Sequence, residues 1–279
     1  MKVDTDKTRT TTADTIDNII LNCGATLHAP NLVEVTGNAH ISMNARLDAP
    51  KLRKVHGLTV GTEVVFPELE VTTGIVEIRN GSLQAPELID SDRIELFPGG
   101  ELYSPQLQTI RTLFIHQSAK LNARRLRQVT DILRVHQDAV YHNDSLLEVG
   151  CCDLRQYSTL TAAKLAKCAD LYVEIGAALN AAIEEAGTIY LESDASIRLE
   201  ELKTIHGDLG IGDGAVFDAR NLRQIEGNLS CCANSNFKTC LELNTFVDPN
   251  AIRGARDIDP AAFVDATVPV AVSKPRAKI

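Results

Sequence analysis

Two histidines one repeat apart are the first residues in this chain whose types and spacing suggest chemistry. His116 and His136 fall at equivalent places in neighbouring repeats, so in a stack of strands their Cβ atoms would sit ~5 Å apart. That distance suits a metal, and it disfavours protonation of both rings. No Cys or carboxylate column completes a ligand set, because the next residue in the series is Arg155; solvated face residues are the expectation. Zinc is suggested by Cys231, Cys232 and Cys240, with Cys151 and Cys152 elsewhere. Adjacent cysteines are poor geometry for the C-x₂-C knuckle, and the two groups lie four repeats apart. By register Cys152 and Cys231 replace inward Leu or Val, and Cys232 is an exposed thiol.

Catalytic patterns fare no better. The chain has no G-x-S-x-G elbow, P-loop or H-E-x-x-H. Glu77 and Glu95 form one stacked acidic pair, whereas a glycosidase needs its carboxylates across a substrate. The glycines of IGDGAVF belong to corners. No catalytic residue, metal or cofactor is therefore expected.

The elements that must position these residues are repeats. Asn44 to Gly57 reads NARLDAPKLRKVHG, and the same skeleton stands as GATLHAPNLVEVTG from Gly24 and GAVFDARNLRQIEG from Gly214. Its anchor recurs as Leu32, Leu52, Leu69, Leu88, Leu107, Leu126, Leu146, Leu165, Ile183, Leu202 and Leu222, at steps of 17 to 20 residues. Leu241 begins a worn last repeat. Each turn carries two period-2 segments: pairs such as Leu58/Val60 and Leu113/Ile115, and Ala-x-Leu pairs such as Ala25/Leu27 and Ala119/Leu121. Between them runs a corner column, Gly24, Asn44, Asp138, Gly176, Asp194 and Gly214, of residues that tolerate a left-handed backbone. The expected fold is mostly β: a single-stack repeat solenoid, leucine-rich-repeat-like or β-helix-like, of about 11–12 coils of ~19 residues, with two parallel ladders and little helix.

Residues 1–16 are expected as a disordered leader, 17–243 as the solenoid and 244–279 as a C-terminal cap and flexible tail. A short capping helix over Ala13 to Leu21 would cover the first apolar layer.

Leu-x-x-Val-x-Gly-x-Leu-x-Val, as in Leu52 to Val60, is similar to the leucine-rich-repeat signature. The periodic GAxLxAPxLxxVxG form resembles bacterial leucine-rich-repeat-like and receptor-L-domain-like solenoids over about residues 19–243. The resemblance implies recognition of protein partners along a strand face and carries over no catalytic residue. Two departures stand out: the Asn ladder is replaced by Glu63, Gln117 and Asp213, and no helical segment recurs.

Composition narrows the partners. A net charge of −9 over 279 residues, with no basic block, argues against nucleic acid. No apolar run is long enough for a membrane span. The polar N-terminus lacks a secretory core, and an odd count of seven cysteines points to free thiols in a reducing compartment, so a cytoplasmic location is expected, or export by a system that cleaves no signal; a monomer is expected as well. Aromatics are only 4% of the chain, yet four fall in two outward columns. These columns run Thr59, Glu77, Glu95, Phe114, Arg134, Asp153, Tyr172, Tyr190, and Gly61, Arg79, Phe97, His116, His136, Arg155, Glu174, Glu192. Phe97, Phe114, His116, Arg134, His136, Arg155, Tyr172 and Tyr190 are the candidate binding strip for a protein partner, read as exposed interface anchors. The same pattern fits neighbours packing over one sheet. Two other readings are an effector delivered without a cleaved signal, using the Thr-rich leader, and a structural or phage-particle assembly component.

Overall fold

A solenoid of this period must bury one narrow column of side chains per segment, because a single coil has nothing of its own to pack against. The computed structural model describes residues 1–232 and 234–239. It is a parallel β-solenoid of about 12 turns, with coils about 19 residues apart and no helix among the described residues. Strand spacing of ~4.8 Å makes the stack roughly 50 Å long. All eleven anchors from Leu32 to Leu222 are completely buried. Both members of every pair from Leu58/Val60 to Leu209/Ile211 are also buried. Full burial of one such side chain contributes ~1.5–3 kcal/mol, and here the burying surface comes from the coils above and below.

Three segments per coil form ladders, one more than the two expected. The Leu-x-x-Val stretch is itself a strand, continuous in most coils with the strand of the first apolar pair, as in Glu34–Ile41, Val71–Ile78 and Gln128–Val135. Register shifts between the two halves, for example between Thr72 and Ile75, mark where one ladder gives way to the next. Its single inward column holds Val35, Val55, Thr72, Ser91, Ile110, Val129 and Val149. The two hydroxyls in that column satisfy each other, Thr72 Oγ1 and Ser91 Oγ lying 2.6 Å apart.

The Ala-x-Leu ladder is broken into sheets of three, four and six strands. The first break follows from length. Five residues separate Ile41 from Leu47, but only three separate Val60 from Val64, so Glu63–Val65 does not align with Arg46–Asp48. The second stands between Lys120–Asn122 and Val140–His142. There Leu121 is only partly buried, and the next inward residue is Tyr141, whose hydroxyl accepts from Asn143 Nδ2 at 2.8 Å.

All six expected corner residues have positive φ, from 56° at Asp138 to 72° at Gly24. Asp6, Asn80, Gly99, Ser118 and Tyr157 extend the column.

Residues 1–16 correct the expected leader. Lys2–Val3, Thr8–Thr10 and Thr15–Ile16 are strands paired in register with later coils, Val3 opposite Leu21 and Ile16 opposite Val35. The capping helix is replaced by Thr15–Ile16 and Ile19–Leu21, because Ile16, Ile19 and Leu21 supply β-type inward positions rather than a helical stripe. Arg9 takes the register place of Leu27 yet is exposed, a charge at an inward position that discourages further strand addition. Cys240, Leu241 and the segment 244–279 lie outside the described residues.

Candidate functional site

The strip is set by uninterrupted parallel register. Thr59, Glu77, Glu95, Phe114, Arg134, Asp153, Tyr172, Tyr190 and Gly210 are successive partners across eight coil-to-coil steps. The adjoining column continues it by backbone bonds: the N–H groups of Phe97, His116, His136 and Arg155 donate to Ile78, Leu96, Ile115 and Val135. The eight candidate residues therefore share one face, but they fall into two regions with different character.

In the first, rings and guanidiniums cover one another. Phe97 stacks on His116 with centroids 4.9 Å apart, and His116 stacks on His136 at 3.7 Å. The Arg79 guanidinium lies 4.2 Å over Phe97, while Arg93 and Arg134 approach Phe114 at 4.7 and 5.0 Å. Phe97, Phe114, His116 and His136 are consequently half-buried. This corrects the reading of the phenylalanines as free anchors and of the histidines as solvated. Long arginine stems on neighbouring coils fold over the rings, because cation–π contact and apolar burial favour it.

The charges of this region are paired. Asp153, buried at 7% exposure, accepts from Arg134 Nε at 2.7 Å and Arg155 Nη2 at 2.9 Å. Arg155 also pairs with Glu174. Glu95 accepts from Arg93 at 3.0 Å and from His116 Nε2 at 3.2 Å, and Glu77 from Arg79 at 3.1 Å. The stacked carboxylates considered for sugar chemistry are thus each engaged by a cation. Burial foremost, then His116 and Arg134, pushes the His136 imidazole down to about 4.

The second region is open. Tyr172 and Tyr190 stack at 5.8 Å with 39% and 41% of their surfaces exposed. Tyr190 reaches across Gly210, where an added Cβ would stand 2.6 Å from its ring. Arg134, Cys151, Asp153, Arg155, Glu174 and Glu192 line a shallow depression of about 400 Å³ with the tyrosines. Burial also raises the Cys151 thiol above its ordinary range, which keeps it protonated and slow as a nucleophile.

Arg93 and the hub role of Asp153 were not singled out by sequence. The available signal was the spacing Arg93-x-Glu95 beside Phe114, which places opposite charges on one face. Among the described residues no group of three His, Cys, Asp or Glu side chains is placed to hold a metal ion. Cys152 is fully buried, Cys231 partly buried and Cys232 exposed.

In comparisons with known proteins, no family model matched, and no curated protein or solved structure proved significantly similar. The parallel β-solenoid class therefore rests on the strand ladders and the repeat.

Proposed function

We propose that the chain is a rigid, non-catalytic recognition scaffold that engages a protein partner through the open end of the strip, with Tyr172 and Tyr190 as anchors. The observation carrying this reading is the exposed, stacked tyrosine pair beside a shallow depression. Tyrosines bury large area at low entropic cost, and interfaces concentrate such residues. Phe97, Phe114, His116 and His136 support it from earlier coils of the same face: their mutual packing stiffens the strands that lead to the tyrosines. Arg134 and Arg155, both tied to Asp153, line the same depression.

Kinship with leucine-rich-repeat-like solenoids is part of this proposal, supported by the Leu-x-x-Val-x-Gly repeat; parallel ladders with no helix among the described residues favour the β-helix form. The effector reading drew on a free leader, and strands at Lys2–Val3 and Thr8–Thr10 remove that support.

The test is affinity capture from the source cells with wild type and with a Tyr172→Ala/Tyr190→Ala variant, folding being checked by circular dichroism. Loss of one defined protein from the folded variant is the expected result. Equal capture by both would clear the tyrosines, and sedimentation of a self-associating chain would move the weight to assembly.

A further inference from the structure

The middle of the strip holds an arrangement that neutral recognition alone does not require. The imidazoles of His116 and His136 lie face to face, 3.7 Å between centroids and 10° between planes. Phe97 covers one side of this stack, and the Phe114 ring meets His136 edge-on at 6.0 Å. His116 has an acceptor in Glu95. His136 Nε2 is buried and has no hydrogen-bond partner.

The charged groups facing the pair come from each neighbouring strand. Arg93 and Glu95 project from Asp90–Leu96, Arg134 from Gln128–Val135, and Asp153 with Arg155 from Glu148–Leu154 and its end. Arg79 stands beyond Phe97, and Glu174 beyond Arg155. A proton on His136 would meet His116, Arg134 and Arg155, all of which oppose it. Glu95 favours it but is already shared between Arg93 and His116. Asp153 is held by two arginines.

We propose that the His116–His136 stack is an acid-sensitive latch: as neutral rings it clamps adjacent coils together, and protonation of His136 parts them and loosens the strip. The sign follows from proton linkage. The unfolded chain takes up this proton near 6.5 and the folded chain only near 4. The unfolded or opened form therefore binds more protons in that interval. The latch's contribution is complete above about pH 6.5, is lost as pH falls toward about 4, and changes no further below it. Fully buried, that gap would alter the opening constant by up to ~300-fold. The ring is partly solvent-exposed, and screening reduces the expected change to about tenfold.

The latch stands on packing alone. Its consequence, release of a bound partner on acidification, rests on the recognition reading above, and the two are separable. Histidine-resolved NMR of the wild-type chain should show His136 titrating clearly below the ordinary imidazole range, in the direction burial pushes it, and titration near 6.5 would overturn the proposal. Hydrogen exchange, corrected for its intrinsic pH dependence, should show residues 112–154 loosening between pH 7 and 4.5 by about tenfold more than residues 32–60. Uniform loosening would also overturn it. His136→Phe keeps a stacking ring without a titrating nitrogen and should remove the local acid sensitivity. Should that variant not fold, the wild-type titration and exchange still decide. A chain that captures no partner at either pH but shows the local acid response would sink the recognition reading and leave the latch intact.

Discussion

Replacing Phe114 by Ala should damage the scaffold far more than replacing Tyr190 by Ala, although the two side chains occupy one outward column. A fully buried Phe→Ala change costs ~3–5 kcal/mol, and the half-buried Phe114 ring should forfeit about half of that. It also loses two guanidinium contacts, at 4.7 and 5.0 Å, each of which is worth ~0.5–1 kcal/mol. The edge contact with His136 adds ~0.5 kcal/mol. The sum is about 3–5 kcal/mol. Tyr190 has one stacking partner and 41% exposure, which points to about 1–1.5 kcal/mol. Urea unfolding followed by far-ultraviolet circular dichroism would measure both, the chain having no Trp. The midpoint should shift with little change of slope, since the surface exposed on unfolding is nearly the same. Phe114→Leu, which restores apolar volume but not the π face, should fall between them. A Phe114→Ala cost no larger than that of Tyr190→Ala would refute the assignment of the rings to scaffold and the tyrosines to open surface.

Three further outcomes follow from backbone and thiol geometry. Gly187→Ala should destabilise by more than ~2 kcal/mol in the same unfolding assay, because its Cβ would stand 2.2 Å from the Ala169 carbonyl oxygen and the preceding coil must shift. Ser118→Gly should raise the melting temperature, since Ser118 sits at φ 60° and a left-handed backbone costs a non-glycine residue ~1 kcal/mol. Thiol labelling of the native chain, read by mass spectrometry, should modify Cys23 and Cys232 well before Cys152 and Cys168. The latter two are buried, and burial raises both thiols, Cys168 to about 12. Early modification of Cys152 would show that coils open far more readily than their packing implies.

Much of the fold was legible in the residues because a solenoid repeats its own solution. Leu anchors, inward pairs and the Gly/Asn/Asp corners each answer to one constraint, and a constraint imposed in every coil is visible in every repeat. The third ladder was hidden because its short segments place one residue inward, Val35 or Val55, so no alternation marks them as strands. The N-terminal coil was hidden by composition: Thr8–Thr10 is polar and exposed throughout, and only its partner coil shows that it is a strand.

The strip was readable as a column but not as a surface. Alternation places Phe97 and Phe114 outward, yet their half-burial depends on how far Arg79, Arg93 and Arg134 reach from neighbouring coils. Arg93 lies just before its apolar pair, outside the columns that alternation defines. Conversely, Tyr172 and Tyr190 remain open because what lies beyond them is Gly210, which has no side chain to cover a ring.

The central claim is that this solenoid meets its partner on the tyrosine end of one strand face. The most direct measurement is site-specific photocrosslinking in the source cells, with a photoreactive residue placed in turn at Tyr172, Tyr190, Val65 and Leu147. Val65 and Leu147 are exposed positions outside the strip. A single defined adduct from 172 and 190, absent from 65 and 147, is the predicted result. Adducts formed only from 65 or 147 would contradict the account and place recognition on another face.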